Sequence, residues 1–269
     1  MMMKEVQAMF NSLTILRKIL GIWGLLGIFS AHATVQVSYL PPESTNEKQA
    51  KQAIVESGVN SVIVDLAKEH FPFKQALTIQ YGGNEGPLYD PSNHTVYMPY
   101  TFYTQTIEYF KSNHYQEKFD RSADLGTIDT IMHTLLHEVG HAYIEDQAIP
   151  ILGKEEDAVD NFAALIMIEY VENGDDASIS AADMFAFESQ DRPDYYQVDE
   201  YIDEHSFDLQ RYFSTLCLVY GSDPEKHADL LNEIEQDLLT ERKDFCISHF
   251  QTIHNNWHRY LASDNAPYF

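Results

Sequence analysis

The chain has 269 residues, enough for one large domain or two small ones, and it is strongly acidic, with 42 Asp and Glu residues against 17 Lys and Arg and a net charge of −25. An excess of negative charge on this scale argues against nucleic acid and against an anionic membrane as partners. Two interpretations of the acidity stay open, an acidic surface that keeps the protein soluble and one that selects cationic substrates.

The first 33 residues have the pattern of a secretory signal peptide. Three basic residues precede an apolar run at residues 19–29, and Ala31-His32-Ala33 has the small-x-small form that a signal peptidase cleaves. We predict cleavage after Ala33, which places a mature chain of residues 34–269 in the periplasm or the medium with no stable membrane insertion. An uncleaved N-terminal anchor is the alternative, although the apolar run is shorter than a membrane-spanning helix requires.

The chain has two cysteines, Cys217 and Cys246. Export places them in an oxidising compartment, where we expect them to form a disulfide. A bridge that closes a loop of about 30 residues contributes roughly 3–4 kcal/mol of stability. Two buried thiols are the alternative, and neither cysteine has the CxxC spacing of a redox or zinc site.

The N-terminal part of the mature chain predicts a long helix and then two strands. Ser44 and Glu47 have the spacing of a capping box, and apolar residues at helical intervals continue to about residue 70, with an interruption at Gly58. The period changes to two at residues 77–81 and 94–98, with several glycines between them, which predicts a β-hairpin or small sheet. A strand in this position either binds an extended peptide along its edge or is purely structural.

The most informative stretch is His137-Glu138-x-x-His141. Two histidines four residues apart on a helix have Cβ atoms about 5–6 Å apart on one face, so both can reach one ion at about 2.0–2.1 Å. Glu138 lies beside that ion, where a carboxylate can take a proton from an activated water. The apolar residues of the stretch recur at helical spacing: Ile128, Ile131, Met132, Leu135, Val139, Ala142 and Tyr143. The stretch predicts the zinc-binding helix of a metallohydrolase, and His133 is either a supporting residue or a hydrogen-bonded neighbour.

A hydrolytic zinc site takes three protein ligands and leaves one position for water, so a third ligand is expected downstream. The acidic candidates are Glu155, Glu156, Asp157 and Asp160. In a helix over residues 154–172, Glu156 and Asp160 share a face with Ala163, whose small side chain allows a close helix approach, while Glu155 points away. We assign Glu156 as the ligand and Asp160 as the acceptor of a ligating histidine's free N–H. A solvated acidic first turn is the alternative.

The C-terminal half is predicted to be helical. His205 lies at the start of one helix and Arg211 further along it, and they are the candidates for the donor that stabilises the oxyanion of a tetrahedral intermediate. A capping histidine and a surface ion pair are the alternative. Three other histidines lack a matching ligand cluster in the sequence and are interpreted as surface or packing residues: His249, His254 and His258.

The two acidic and histidine-rich segments resemble known proteins. HEVGH followed by E-x-x-x-D-x-F-A resembles the Glu-zincin metallopeptidases. More closely, HEVGHAYIEDQAIPILGKEEDAVDNFAALIMIE together with DEHSFDLQRYFSTLCLVYG resembles a family of exported bacterial domains catalogued as metallopeptidases, whose substrates are not established. The resemblance runs from about residue 77 to the C-terminus and implies zinc on His137, His141 and Glu156, with Glu138 as the base. One departure is Asp157-Ala158-Val159, where the broader clan often has an aromatic residue or second Glu and an Ala.

These observations predict a mainly helical α+β protein with a zincin-like fold, in which a small N-terminal hairpin or sheet precedes the HExxH helix and one domain spans residues 34–269. The expected activity is hydrolysis of peptide bonds in a peptide or protein substrate, with Zn²⁺ as the cofactor; no feature of the sequence sets an oligomeric state. Two alternatives stay open. One is a cell-wall peptide amidase with the same chemistry, and the other is an exported zinc-binding regulatory protein that keeps the fold without turnover.

Overall fold

The fold combines a four-stranded mixed sheet with helices, two of which lie between the first and second strands. The computed structural model describes residues 34–191, 196 and 198–262, so the signal peptide lies outside the described residues and its cleavage after Ala33 stays a prediction. The strands are β1 (Val35–Tyr39), β2 (Leu77–Tyr81), β3 (Leu88–Asp90) and β4 (Thr95–Met98). The helices are α1 (Thr45–Ser57), α2 (Val59–Glu69), α3 (Tyr100–Ser112), α4 (Tyr115–Phe119), α5 (Ala123–Gln147), α6 (Glu155–Tyr170), α7 (Gly174–Gln190), α8 (Val198–Ile202), α9 (Asp208–Ser222) and α10 (Gln236–Trp257). The mainly helical α+β class is confirmed.

The sheet has the order β1-β2-β4-β3, in which β1, β2 and β4 are parallel and β3 is antiparallel to β4. The two strands predicted to form a hairpin are β2 and β4. This prediction is wrong, because β2 and β4 pair in parallel. They lie side by side with Ile79 opposite Val96, while β3 forms the hairpin with β4 through a turn in which Asp90 accepts a hydrogen bond from the Ser92 backbone. Alternation of apolar residues marks a strand but not its partner, and β3 is too short to show it.

The first helical segment divides where the sequence predicted an interruption. The Ser44 hydroxyl accepts a hydrogen bond from the backbone N–H of Glu47 at 3.2 Å and caps α1. The Glu47 carboxylate accepts in return from the backbone of Glu43, one residue before the cap. Gly58 has φ of +74°, a conformation that side chains rarely adopt, and this residue ends α1 and begins α2.

Helix α5 is the central element, packed against α3, α6 and α7 and against strand β3. It is buried on most of its circumference, as expected of a helix enclosed by others. An aromatic cluster locks it to its neighbours: the Phe71 ring centroid lies 5.3 Å from that of Phe162 on α6 and 5.9 Å from that of Tyr143 on α5. Burial of each such ring contributes about 1.5–3 kcal/mol, so the helix that carries the HExxH motif is held in a rigid frame.

The two cysteines form the disulfide that the sequence predicted. Cys217 on α9 is bonded to Cys246 on α10, and both are buried. The bridge holds the last long helix against α9, and from there α10 runs back to α6, where Trp257 packs on Phe162 with a centroid distance of 4.9 Å. Among the described residues, no helix has the length and apolar character needed to cross a membrane.

Candidate metal centre

The two histidines of the HExxH motif lie on one face of α5, with ring centroids 5.0 Å apart. His137 is 4% exposed and Glu138 is 8% exposed, while His141 is partly open to solvent. These positions follow from the i, i+4 spacing alone, because residues four apart on a helix are neighbours.

Gly140 on α5 lies at a close contact between α5 and α6. A Cβ atom built on it would meet Phe162 at 3.0 Å and Val159 at 3.1 Å. From the sequence we expected Ala163 on α6 to allow this close approach, and Ala163 is indeed buried. The residue at which a side chain would clash, however, is Gly140 on α5. The absence of a side chain at Gly140 brings the acidic first turn of α6 up to the histidines.

Three imidazoles converge on one oxygen atom of Glu156. Its Oε2 lies 3.0 Å from His137 Nε2, 3.3 Å from His141 Nε2 and 3.0 Å from His205 Nε2. Burial by itself raises the pKa of Glu156, but hydrogen bonds from the three histidines outweigh it and hold that pKa well below its usual range. The three side chains and the carboxylate therefore form a single cluster drawn from α5, α6 and the loop before α9.

Each of these imidazoles also has a carboxylate on its other nitrogen. Asp160 lies 2.8 Å from His137 Nδ1 and Glu155 lies 2.8 Å from His141 Nδ1. The third pair is Asp203 with His205 Nδ1, at 3.1 Å. A carboxylate on Nδ1 holds the proton on that nitrogen and orients the ring, so that Nε2, which bonds Glu156 in the metal-free protein, is the nitrogen that would lose its proton and bind a metal ion.

Glu155 was expected to point away from the site, and the structure corrects this. The long side chain turns back from the first residue of α6 and reaches His141 on α5. A helical wheel gives the direction of the Cα–Cβ bond but not the reach of a flexible side chain beyond it. Glu155 does for His141 what Asp160 does for His137.

Asp160 is held from its far side by Arg211 on α9. The guanidinium donates to both carboxylate oxygens, with Nε at 2.7 Å and Nη2 at 2.8 Å. It also stacks on the Phe185 ring, with Cζ 4.0 Å from the centroid. Burial raises the pKa of Asp160, but the charge and hydrogen bonds of Arg211 outweigh it and keep the carboxyl ionised. The geometry favours a positioning role for Arg211 over the direct oxyanion contact suggested by the sequence.

The loop that carries His205 is anchored to the start of α6. Lys154 Nζ donates to the backbone carbonyls of Asp203 and His205 at 3.2 and 3.0 Å. The Ser206 hydroxyl donates to Asp157 at 2.6 Å. Glu156 and His205 thus come to the centre on two segments that are tied together, and the His205 ring lies parallel to that of His137 at 6.0 Å.

Glu138 faces the same space from α5. Burial raises the pKa of its carboxyl, while the neighbouring histidines and a hydrogen bond from the Tyr89 backbone lower it, and the net direction is upward. A carboxyl with a raised pKa is a better proton acceptor than an ordinary surface glutamate. Tyr89 belongs to β3, so the edge of the sheet and Glu138 are in direct contact.

A cleft of about 850 Å³ opens onto these residues. One wall is β3 with its flanking residues, and the other is the exposed face of α5 with the first turn of α6. The β3 wall consists of Pro87, Leu88, Tyr89 and Pro91. Because β3 is the last strand in the sheet order, its outer edge borders the cleft, as the sequence suggested for a strand in this region.

A smaller cavity of about 130 Å³ lies behind the centre. His133 borders it and is 2% exposed, and burial lowers its pKa to about 4, so the ring is neutral. Within the described part of the chain, His133 Nε2 has no hydrogen-bond partner. The expectation of a hydrogen-bonded neighbour is therefore not met at Nε2, and a supporting role for His133 stays a prediction.

The donor set fits a divalent metal ion that is intermediate between those that prefer hard oxygen ligands and those that prefer soft sulfur ligands. Imidazole nitrogens with one carboxylate suit zinc and its neighbours in the first transition row, whereas calcium and magnesium prefer oxygen ligands. The charged groups around the imidazoles are five carboxylates and one guanidinium: Glu138, Glu155, Glu156, Asp160, Asp203 and Arg211. A cation at this point offsets the excess of negative charge.

All seven residues that the sequence proposed for the centre lie together in the structure: His137, Glu138, His141, Glu156, Asp160, His205 and Arg211. Two supporting carboxylates were missed, Glu155 and Asp203. Glu155 directly precedes the assigned ligand, and Asp203 is two residues before His205. Both could have been identified from the sequence as acidic residues next to a proposed site residue.

Imidazoles from one helix with a carboxylate from the next are the arrangement of a metal-dependent hydrolase. A family model described as "Putative metallopeptidase" matches residues 39–261, and the chain belongs to this family. Membership confirms the family proposed from the motifs and implies a peptidase that uses a metal ion and acts on a peptide substrate. No curated protein and no solved structure matched the chain.

Proposed function

We propose that the protein is a zinc-dependent metallopeptidase in which His137, His141 and Glu156 hold the ion and Glu138 is the general base. The observation that carries the proposal is the convergence of three carboxylate-supported imidazoles on Glu156 Oε2, at 3.0 to 3.3 Å. A surface acidic turn, the alternative for Glu156, does not require three histidines, one of them buried, aimed at one oxygen atom.

The chemistry divides between the ion and the chain. When bound, zinc acts as a Lewis acid that polarises a carbonyl group and lowers the pKa of water to near 7. Glu138 accepts a proton from the attacking water and returns it to the leaving amine. His205 contacts Glu156 from the loop before α9, and hydrogen bonding to Glu156 raises its pKa, so it is suited to donate from Nε2 to the oxyanion that develops.

The substrate is an extended peptide that lies along β3. An edge strand presents backbone N–H and C=O groups to a peptide that adds to the sheet, and the cleft places that peptide across Glu138 and the histidines. The cleft is acidic, with Glu145 and Glu155 at its border, which favours basic residues in the substrate.

The site of action is outside the cytoplasm. The disulfide between Cys217 and Cys246 fits an oxidising compartment, and the N-terminal pattern supports a signal peptide cleaved after Ala33. On this proposal the working protein is a single zincin-like domain of residues 34–269.

The test compares wild type with Glu138→Gln, which keeps the shape of the side chain and removes its basicity. Both proteins should bind zinc equally, and the variant should lose at least about 100-fold in kcat on a peptide library. Full activity in Glu138→Gln refutes the base assignment. Zinc binding without cleavage of any peptide by the wild type favours the alternative of a zinc-binding protein without turnover.

A further inference from the structure

A second cluster of metal-ligating side chains lies at the other end of α6. It consists of Glu169, near the C-terminus of α6, His254 on α10, and His258, which directly follows the last residue of α10. His254 Nδ1 is 2.5 Å from Glu169 Oε1, and His258 Nε2 is 3.2 Å from Glu169 Oε2. One ligand atom from each of the three lies within 4.8 Å of the others. No carboxylate partner of His254 and His258 was evident in the sequence, and the structure shows that Glu169 contacts both.

The contacts of His258 define which of its nitrogens can bind an ion. Its Nδ1 lies 2.9 Å from the backbone carbonyl of His254, one turn earlier on α10. A carbonyl is only an acceptor, so Nδ1 carries the proton and donates it. In the neutral ring Nε2 then has a lone pair, and that nitrogen is the one that faces Glu169.

This leaves two acceptors facing each other. A lone pair on His258 Nε2 at 3.2 Å from a carboxylate oxygen is repulsive unless a cation or a proton lies between them. A proton on His258 alone also bridges this contact, with His254 neutral and donating from Nδ1 to Glu169 Oε1. Protonation of both rings is disfavoured, because the His254 and His258 ring centroids are only 3.9 Å apart and two positive charges at that distance repel. A single divalent ion shared by both nitrogens and the carboxylate satisfies all three groups with neutral rings.

The surroundings suit a site that binds an ion and holds it. The three side chains are partly shielded, at 16% exposure for Glu169, 34% for His254 and 31% for His258. The Tyr170 hydroxyl lies 3.0 Å from His258 Nε2 and can donate to its lone pair in the metal-free protein. The Tyr170 ring is in turn stacked on His70, with centroids 3.9 Å apart, which fixes its position.

We propose that Glu169, His254 and His258 form a second binding site for a divalent transition metal, with zinc as the expected ion, separate from the centre at Glu156. Two imidazoles and a carboxylate are zinc ligands, and they disfavour calcium and magnesium. The ion joins α10 to α6 close to the contact of Trp257 with Phe162. Its role is to fasten the C-terminal helix onto the helix that carries the first centre.

The experiment measures zinc stoichiometry by elemental analysis on the mature protein after chelation and reloading with zinc alone. Wild type should bind two ions. Glu169→Gln, which keeps the side-chain shape, should bind one, and His254→Ala/His258→Ala should also bind one. His249→Ala is the matched control. His249 lies on the same helix and stacks on Phe245, and the variant should bind two zinc ions.

Removal of the first centre separates this inference from the proposed function. His137→Ala/His141→Ala should bind one ion, and chelation should still lower its Tm by several degrees, because the ion that joins α10 to α6 is present. In Glu169→Gln the Tm shift that belongs to this ion should be missing. Two ions bound to Glu169→Gln, or a single ion in wild type that disappears with His137→Ala/His141→Ala, overturns the second site. A failure of peptide cleavage alone leaves both stoichiometries unchanged and bears only on the peptidase.

Discussion

Arg211 holds Asp160 through two parallel hydrogen bonds, at 2.7 and 2.8 Å. The same carboxylate accepts from His137 Nδ1 at 2.8 Å. A guanidinium on α9 therefore sets the orientation of an imidazole on α5 without touching it. Bidentate pairs of this kind fix direction as well as distance.

Arg211→Met should destabilise the protein by about 3–5 kcal/mol, because it leaves the buried Asp160 carboxylate without its counter-charge. It should also weaken zinc binding by roughly 10-fold, since His137 loses its fixed partner. Arg211→Lys should fall between wild type and Arg211→Met, because an ammonium keeps the charge but not the fork. Urea denaturation of the zinc-free protein gives the first quantity and a zinc titration the second.

The matched control for that change is Arg242→Met. Arg242 also stacks on an aromatic ring, that of Phe245, at 5.1 Å, but it lies on the exposed side of α10. Loss of this arginine should change the free energy of unfolding by less than about 0.5 kcal/mol. Equal losses in the two arginine variants would contradict the positioning role of Arg211.

Glu155→Ala should weaken zinc binding at the first centre by about 10–100-fold, because His141 loses the carboxylate that holds its Nδ1 proton. Glu155→Gln should lose less, since the amide oxygen still accepts from Nδ1. A calorimetric zinc titration in a Glu169→Gln background isolates this centre. Glu108→Ala on α3, which removes a carboxylate whose partner is the exposed Lys111, should leave the affinity unchanged, and the same affinity in Glu155→Ala would show that the contact is incidental.

Local periodicity explains why much of the centre was predictable from the sequence. His137 and His141 share a helix face by spacing alone, and Glu156 and Asp160 share another. Their meeting depends on α5 and α6 being neighbours, which a short connection between two helices makes probable in any chain. The break at Gly58 and the cap at Ser44 are likewise local features with a direct physical cause.

Longer-range contacts were not predictable in the same way. Glu169 and His254 are 85 residues apart, and no pattern within either helix predicts that the two residues are in contact. Strand β3 has three residues, too few to show alternation, so the order of the sheet could not be inferred. The reach of Glu155 depends on its side-chain rotamer, which helix periodicity does not specify.

His205→Ala should keep zinc and lose about 10²–10³-fold in kcat with little change in KM, if His205 donates to the oxyanion. The reason for expecting retention is that His137, His141 and Glu156 lie on two rigid helices, whereas His205 lies on a loop with 48% of its side chain exposed. Zinc content and steady-state kinetics on one peptide substrate are measured together. Loss of zinc from the variant would instead make His205 a ligand, and His249→Ala again serves as the control.

Asp183 on α7 is a buried acid that contacts none of the proposed metal ligands in the hydrogen bonds described for it. Its carboxylate accepts a hydrogen bond from the Tyr115 hydroxyl at 2.8 Å. Burial raises its pKa to about 6, with a further rise from Glu233 and opposing effects from Tyr115 and Arg121. In the unfolded chain an aspartate has a pKa of about 3.9.

Because the folded state holds this proton up to a higher pH than the unfolded state does, Asp183 makes the protein less stable as pH rises from about 4 to about 6. A shift of about two pKa units corresponds to a loss of up to about 3 kcal/mol, complete by pH 7. Asp183→Asn carries no charge at any pH and should remove this part of the decline, so that its unfolding free energy exceeds that of wild type by more at pH 7 than at pH 4. Urea denaturation at both pH values measures the difference, with Asp176→Asn, a half-exposed position on the same helix, as the control. A wild-type-minus-variant difference that is the same at the two pH values contradicts the raised pKa.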